Sequence, residues 1–201
     1  CAGNPELAIH SNSGMSIYYI GFDTTKAPFD NVLVRQAVSY AINRQDVVDA
    51  VIDGYGQPLY CVLPPATLGY VENPGNYSYD VDKARELMEQ AGYKDGASTK
   101  MLAFDETAKN IAEIAQGFLA DIGIQVEIEV YDSSVRSAMT ANHQVPMFAG
   151  RWGAMADADL VLPRLFTKAA IGSMNQTFYT NPEVEELLVQ ARSTYETDER
   201  R

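Results

Sequence analysis

Cysteine and histidine are scarce in this sequence, which limits the metal and redox chemistry that it can support. The 201 residues include two cysteines, Cys1 and Cys61, and two histidines, His10 and His143. The cysteines form neither a CxxC pair nor a Cys/His zinc spacing, so two unpaired cysteines are the favoured interpretation. Neither histidine has a carboxylate at a spacing typical of a catalytic pair. The sequence therefore predicts no metal site and no histidine-based active site.

Basic residues and long apolar runs are also in short supply. There are 15 Lys and Arg residues against 27 Asp and Glu residues, for a net charge of -12, which would repel a phosphate backbone. No local basic cluster offsets that charge, so nucleic acid is not an expected partner. The apolar runs are interrupted by polar residues, and the start lacks a basic stretch followed by an apolar one. Neither a transmembrane span nor a signal peptide is predicted.

Motifs that mark common enzyme classes are missing as well. There is no GxSxG elbow, P-loop, HExxH zinc motif or EF-hand spacing. Gly54-Tyr55-Gly56 begins like a dinucleotide fingerprint, but it follows a predicted helix and lacks the third glycine, so a helix stop and turn is the better interpretation. We therefore expect neither enzyme activity nor a cofactor. A hydrolase that uses His10 or His143 is the remote alternative.

Hydrophobic periodicity predicts strands and helices in the first half of the chain. Residues 6–11 and 15–22 favour extended structure, with a turn signal between them. The next helix has an apolar stripe and Asp30 as its expected N-cap. A second helix begins at Asn43 and ends at Gly54, and the proline-rich stretch 55–79 is predicted to be a long loop. The stripe of the first helix consists of Val34, Ala37, Val38, Ala41 and Ile42.

The second half continues the alternation of strands and helices. A helix begins at its N-cap Asp80 and ends at Gly92, and a strand over 98–104 leads into a further helix. Hydrophobic residues alternate over 124–130, which predicts a strand with one buried face. The remaining expected elements are a helix over 132–141, a strand over 145–152, a helix over 157–167 with Leu160, Leu162, Leu165 and Phe166 facing inward, and a helix from Asn181 and Pro182. Together they predict one α/β domain with a mixed sheet flanked by helices.

Several short motifs, in a fixed order, connect this chain to a known family. The first is PFDNVLVRQAVSYAINR at residues 28–44, which joins a turn, a helix start and an Arg-Gln-Ala signature. Later motifs are DGYGQP at 53–58, LPP at 63–65, YDVDKAREL at 79–87, AGY at 91–93 and FYTNPEV at 178–184. In this order they resemble the extracellular solute-binding proteins of peptide and nickel ABC transporters, called family 5.

The resemblance implies a periplasmic-binding-protein-like lobe of type II. Residues 1–201 would form the second lobe of a two-lobed receptor, without the other lobe and the extreme carboxyl-terminal segment. Such a receptor would capture oligopeptides, dipeptides or a related solute such as glutathione by lobe closure and deliver it to the permease subunits of an ABC importer. A non-peptide solute such as a nickel chelate is the alternative within this class. A module that only docks on the permease is a third alternative.

The resemblance also implies where the full-length protein works. It predicts a monomer in the periplasm or on the outer face of the bacterial cell membrane, with a lipid anchor outside these residues. Cys1-Ala2-Gly3-Asn4 looks like the start of a mature lipoprotein, but the resemblance places the lipidated cysteine further upstream.

Ligand contacts are expected where the strand over 145–152 ends. Ligands bind at the carboxyl ends of strands in open α/β sheets, where Trp152 offers a flat surface and one donor, although core packing is its alternative role. Arg151 and Gly153 flank it. Peptide-binding members commonly place an Asp three residues after this tryptophan to pair with the peptide amine, but Met155 stands here and a thioether cannot pair with an ammonium. Asp157 is the candidate for that contact with the peptide amine, and its alternative role is to cap the helix that follows.

The stretch from Trp152 to Phe166 adds one further expectation. It is similar to members whose tryptophan is followed by Asp-Ala-Asp and a Leu-Phe helix, among them glutathione-binding and dipeptide-binding ones. The resemblance thus implies a ligand site formed by Trp152, Met155, Asp157, Arg151 and Gly153.

Overall fold

The computed structural model describes residues 14–153 and 157–200 of the chain. The predicted strand over 6–11, together with Cys1, His10 and Met155, lies outside the described residues. The described strands are β1 (Ser16–Phe22), β2 (Ala97–Ala103), β3 (Ile124–Val130) and β4 (Met147–Gly153). The described helices are α1 (Val32–Ala41), α2 (Arg44–Ile52), α3 (Val81–Gln90), α4 (Glu106–Ala120), α5 (Ser133–Ala141), α6 (Leu162–Phe166), α7 (Pro182–Ser193) and α8 (Thr197–Arg200), with 3₁₀ turns at Ala158–Leu160 and Lys168–Ala170.

Side-chain caps define where several helices begin. Asn43, Asp80 and Asp132, the caps of α2, α3 and α5, accept hydrogen bonds from backbone amides of the first turn. These bonds satisfy amides that have no partner within the helix. Asn181 caps α7 in the same way, with Pro182 at the first helical position. The helix starts predicted at these four caps are confirmed.

Asp30 is not the cap of α1, so that prediction is wrong. Asn31 caps the helix, because its side chain accepts from the Leu33 amide at 2.9 Å and its backbone is extended, with φ -82° and ψ 122°. The amide of Asp30 donates instead to the carbonyl of Lys26 at 2.8 Å, within the preceding turn. Both side chains are able to cap a helix, so only the backbone geometry distinguishes the two neighbours.

The described strands form a mixed sheet in the order β1-β4-β2-β3. β2 is parallel to both β3 and β4, and β1 is antiparallel to β4. α4 connects β2 to β3, because parallel neighbours need a crossover connection. The predicted alternation is confirmed at the start of β3, where Ile124 and Val126 are buried and Gln125 and Glu127 are exposed. The α/β class predicted from the sequence is therefore confirmed.

The main core lies between one face of the sheet and helices α1, α3 and α4. All five residues of the apolar stripe predicted for the first helix are buried there. α4 buries Ala108, Ala112, Ala115 and Leu119, whose spacing of three or four places them on one face of the helix. Two smaller clusters lie on the other face of the sheet and contain Trp152 and Phe148. These smaller clusters support the candidate site.

One predicted helix is interrupted. Instead of a continuous helix over 157–167, the chain forms the 3₁₀ turn Ala158–Leu160 and then α6. Pro163 explains the break, because it has no backbone N–H and its ring would clash with a helical carbonyl four residues earlier. Leu160 is consequently 47% exposed instead of facing inward, and Val161 is buried in its place.

The segment between α2 and α3 contains no helix or strand, as predicted. Local hydrogen bonds order it: the Asn73 side chain donates to the Tyr77 carbonyl at 2.7 Å and accepts from the Tyr77 amide at 3.0 Å. Its residues Leu59, Cys61 and Val62 pack against the cluster around Trp152. The loop therefore covers one side of the candidate site. None of the helices described here is long and apolar enough to cross a membrane.

Candidate functional site

β1 and β4 extend beyond the other strands of the sheet. β4 pairs with β2 only at its start, where Met147 lies opposite Met101 and Phe148 opposite Leu102. β2 then ends at the next residue. Among the described strands, residues 149–153 of β4 therefore pair only with residues 16–20 of β1. We call these two segments the projecting ribbon. It extends past the carboxyl ends of the parallel strands, which is where ligands bind in open α/β sheets.

One face of this strand pair is aromatic because glycine stands opposite each ring. Tyr19 pairs with Gly150, and Phe148 pairs with Gly21. A Cβ atom on either glycine would lie 2.5 Å from the opposite ring, so each ring lies over bare backbone. The two rings meet edge to face, with centroids 6.0 Å apart. Trp152 shares this face, since it lies two residues after Gly150.

Trp152 belongs both to a small core and to the wall of a cleft. Its side chain packs with Ile17, Leu63 and Val161, and the residue is 9% exposed. Core packing, the alternative considered for this tryptophan, is therefore part of its role. It also lines the large cleft described below.

Arg151 and Gly153 lie on the opposite face of the ribbon from Trp152, because successive strand residues alternate between faces. The guanidinium of the exposed Arg151 is 5.8 Å from the ring centroid of Tyr18, close enough for a cation–π contact. Neither Arg151 nor Gly153 is among the described residues that line the cleft. The structure therefore separates the two from Trp152, although all three are consecutive in sequence.

The cleft has a volume of about 1040 Å³, at the upper end of the range for small-molecule sites. Its walls come from both sides of β1, from Phe148 and Trp152 of β4, from α1, α2 and α4, from the loop at 54–65, and from side chains between Leu165 and Tyr179. The described lining residues include no Asp or Glu, and Arg44 is the one charged residue among them. The cleft is thus free of described acidic groups although the chain has a net charge of -12.

Asp157 caps the 3₁₀ turn Ala158–Leu160. Its Oδ1 accepts a hydrogen bond from the Asp159 amide at 2.9 Å, which is the capping role considered from the sequence. The Asp159 carboxylate in turn accepts from Nε of Arg192 at 3.0 and 3.1 Å. No group of three or more His, Cys, Asp or Glu side chains that could hold a metal occurs within the described ranges. A contact between Asp157 and a ligand amine stays a prediction.

Arg136 is a residue that the sequence reasoning missed. It is 9% exposed, and its guanidinium carbon lies 5.1 Å from the Phe104 ring centroid and 5.7 Å from that of Phe148. Its Nη1 donates to Oε1 of Gln176 and its Nη2 donates to Oγ of Ser137, both at 3.3 Å. Its Nε has no hydrogen-bond partner among the described residues. Burial lowers the pKa of Arg136, and the nearby Tyr19 opposes that shift.

Asp23 and His143 form a second pair that the sequence did not reveal. His143 Nδ1 lies 2.9 Å from Oδ2 of Asp23, whose side chain is 1% exposed. Thr25 donates its hydroxyl to the same carboxylate at 2.6 Å. In a catalytic triad the hydroxyl lies at the imidazole nitrogen that faces away from the carboxylate. Here the Thr25 hydroxyl and the carboxylate both lie near Nδ1, so the cluster does not support the hydrolase alternative.

A family model places this α/β architecture among known proteins. Residues 2–173 match the model of bacterial extracellular solute-binding proteins, family 5 Middle. This chain belongs to that family, and the resemblance stated from the motifs is confirmed.

Individual relatives agree with the family and describe what those proteins bind. The glutathione-binding protein GsiB of Salmonella choleraesuis is 34% identical over 99% of this chain, and heme-binding protein A of Haemophilus influenzae is 31% identical over 98%. Among solved structures, the periplasmic binding protein DppA from Helicobacter pylori, in complex with the peptide STSA, superposes with a TM-score of 0.90 at 33% identity over 98% of this chain. The chain spans 41%, 37% and 39% of the length of these three proteins.

Proposed function

We propose that this chain is the ligand-binding lobe of an ABC importer receptor that captures oligopeptides, dipeptides or a related small solute such as glutathione. The observation that carries the proposal is the cleft of about 1040 Å³ beside the projecting ribbon, in a chain of a solute-binding family. The relatives support the solute class, since one is a glutathione-binding protein and another holds a peptide. Because this chain covers about two fifths of their length, a second lobe would close the cleft by a hinge motion.

Trp152 is the residue that we expect to contact the solute most directly. Its indole lies in the cleft wall and is fixed by the packing of Ile17 and Leu63 behind it, so it offers a preorganised apolar surface. Asp157 would accept a hydrogen bond from a ligand amine in addition to capping, because a carboxylate can accept several hydrogen bonds. Met155, Arg151 and Gly153 stay in the proposed ligand-binding set from the sequence, but Arg151 and Gly153 would have to meet the solute from the opposite face of the ribbon, outside the cleft.

The full-length receptor would deliver its solute to the permease subunits of the importer. Its family consists of extracellular solute-binding proteins, which supports a location in the periplasm or on the outer face of the cell membrane. We expect a monomer that is tethered by a lipid anchor outside these residues.

A carrier of a non-peptide solute, such as a nickel chelate, is the second candidate. It is favoured by Met155, which stands where peptide-binding relatives are expected to have an acid. The lack of acidic groups among the described lining residues supports the same alternative, because an ammonium ion would find no counter-charge there.

Mass spectrometry of small molecules that co-purify with the full-length receptor separates the two candidates. We expect the mass spectrum to show peptides or glutathione. In calorimetry, Asp157→Ala should bind that solute at least tenfold more weakly, whereas the control Asp46→Ala, on α2, should bind it as tightly as the unmodified receptor. Recovery of a metal chelate, and no binding of any peptide, would favour the second candidate. Calorimetry on this lobe alone should give weak binding, because half of the site is missing; tight peptide binding by the lobe would contradict the two-lobed site.

A further inference from the structure

Arg136 is a buried cation, unlike the cationic side chains that form salt bridges in the described part of the chain. Those side chains lie at the surface and have a carboxylate within 4.0 Å: Lys83, Arg85, Lys94, Lys100, Lys109 and Arg192. Arg136 is nine-tenths buried and has no carboxylate partner within that distance in the described part of the chain. A buried charge without a counter-charge is costly. The chain has 27 acidic residues that could supply a counter-charge, so the lack of one beside Arg136 indicates a functional role for this residue.

The guanidinium of Arg136 lies directly behind the wall of the cleft. Two of its neighbours are lining residues: Phe148, over whose ring it lies, and Gln176, to which it donates. The positive charge is therefore separated from the cleft by a single layer of side chains. A charge held this close to a water-poor, apolar wall acts more strongly than one in bulk water.

Gln176 connects Arg136 to the cleft through a hydrogen bond. Its Oε1 accepts from Nη1 of Arg136 at 3.3 Å, which leaves the amide nitrogen Nε2 as the donor for a group on the cleft side. A hydrogen bond from a cation polarises the amide and strengthens the donor at its other end. Gln176 is half-buried and lines the cleft, so its amide is accessible to a solute.

We propose that Arg136 and Gln176 form a subsite for a carboxylate of the solute, in which Gln176 donates the hydrogen bond and Arg136 supplies the charge behind it. This inference rests on the proposed function, because it requires that the cleft takes a solute, and it adds that the solute has an acidic group. The lining supports it, because no described lining residue carries an acidic group that would repel a carboxylate.

The opposing explanation is that Arg136 only packs between Phe104 and Phe148. Cation–π contacts of this kind stabilise a fold without any ligand. The two explanations differ in one respect. A packing role makes no distinction between a solute with a carboxylate and the same solute with a neutral amide, whereas a charged subsite does.

Calorimetry on the full-length receptor with two matched pairs of ligands tests the subsite. The pairs are trialanine with trialanine amide, and the nickel–histidine chelate with the nickel–histidinamide chelate. We expect the acid of at least one pair to bind at least tenfold more tightly than its amide. In Arg136→Met and in Gln176→Leu this ratio should fall below threefold through loss of acid binding, with amide binding unchanged. Arg85→Met, which removes an exposed guanidinium on α3, is the control and should keep the ratio.

Each outcome separates this inference from the proposed function. Equal binding of acid and amide by the unmodified receptor, or a ratio that persists in both variants, would overturn the subsite and leave the receptor function intact. An Arg136-dependent ratio for the nickel pair alone would overturn the peptide solute and keep the subsite. If neither pair binds, the subsite is overturned, and the proposed function fails with it unless glutathione binds in the same assay. If Arg136→Met does not fold, Gln176→Leu decides, because its side chain is only half-buried.

Discussion

The glycine at position 150 tests the geometry of the aromatic face directly. In Gly150→Ala the new Cβ atom would lie 2.5, 2.7 and 2.8 Å from three atoms of the Tyr19 side chain, distances that no side chain tolerates. Tyr19 would have to move away, which disturbs its edge-to-face contact with Phe148, worth about 0.5–1.5 kcal/mol. Overpacking of this kind costs about 1–3 kcal/mol, and the lower chain entropy of alanine offsets about 0.5–1 kcal/mol of that.

We therefore expect Gly150→Ala to lower the free energy of unfolding by up to about 2.5 kcal/mol, which is the overpacking cost less the entropic offset. Urea denaturation of the purified chain measures this change. Gly153→Ala is the matched control, because it lies in the same strand and no described atom is within 4 Å of its Cβ position; it should be neutral or slightly stabilising. Equal stability of the two variants would refute the placement of the Tyr19 ring over residue 150.

Further predictions follow from other parts of the fold. Gly117→Ala, in the interior of α4 with no described atom within 4 Å, should stabilise the chain by about 0.5–1 kcal/mol in the same denaturation assay. Asp80→Ala removes the cap that accepts from the Lys83 amide at 2.9 Å and should cost about 0.5–2 kcal/mol. Hydrogen bonds from Ser134 lower the pKa of the Asp132 carboxyl group. The capping contribution of Asp132 is therefore fully present above pH about 4 and is lost as the pH falls through the lowered pKa. Ser134→Ala should raise the pKa of Asp132, which an NMR titration measures. Trp152, the single tryptophan, is buried, so its fluorescence emission should shift to longer wavelength on unfolding.

Features that depend on local sequence were predictable. A cap such as Asp80 and an alternation such as that of residues 124–130 act over a few residues, so the pattern alone places the helix or strand. The hydrophobic period over 157–167 favours one continuous helix, but Pro163 cannot occupy a helix interior, so the chain forms a 3₁₀ turn and a short helix there. The one-residue error at Asp30 arose because two adjacent residues are both able to cap.

Features that depend on contacts between distant residues were not predictable. His143 meets Asp23 across 120 residues, and Arg136 meets Gln176 across 40. No spacing rule connects such pairs, since they come together only when the sheet and its loops are assembled. The same is true of the aromatic face, where Tyr19 and Gly150 are neighbours only in the register of β1 and β4. The sequence identified the strand that carries the candidate site, and the tertiary structure decided which side chains share its faces.

The claim that the solute binds beside the projecting ribbon can be checked in a crystal structure of the full-length receptor with its co-purified solute. We predict that the solute lies in the cleft and contacts the indole of Trp152, with a second lobe closed over it. A solute that occupies the receptor without touching any of the residues lining this cleft would contradict the claim.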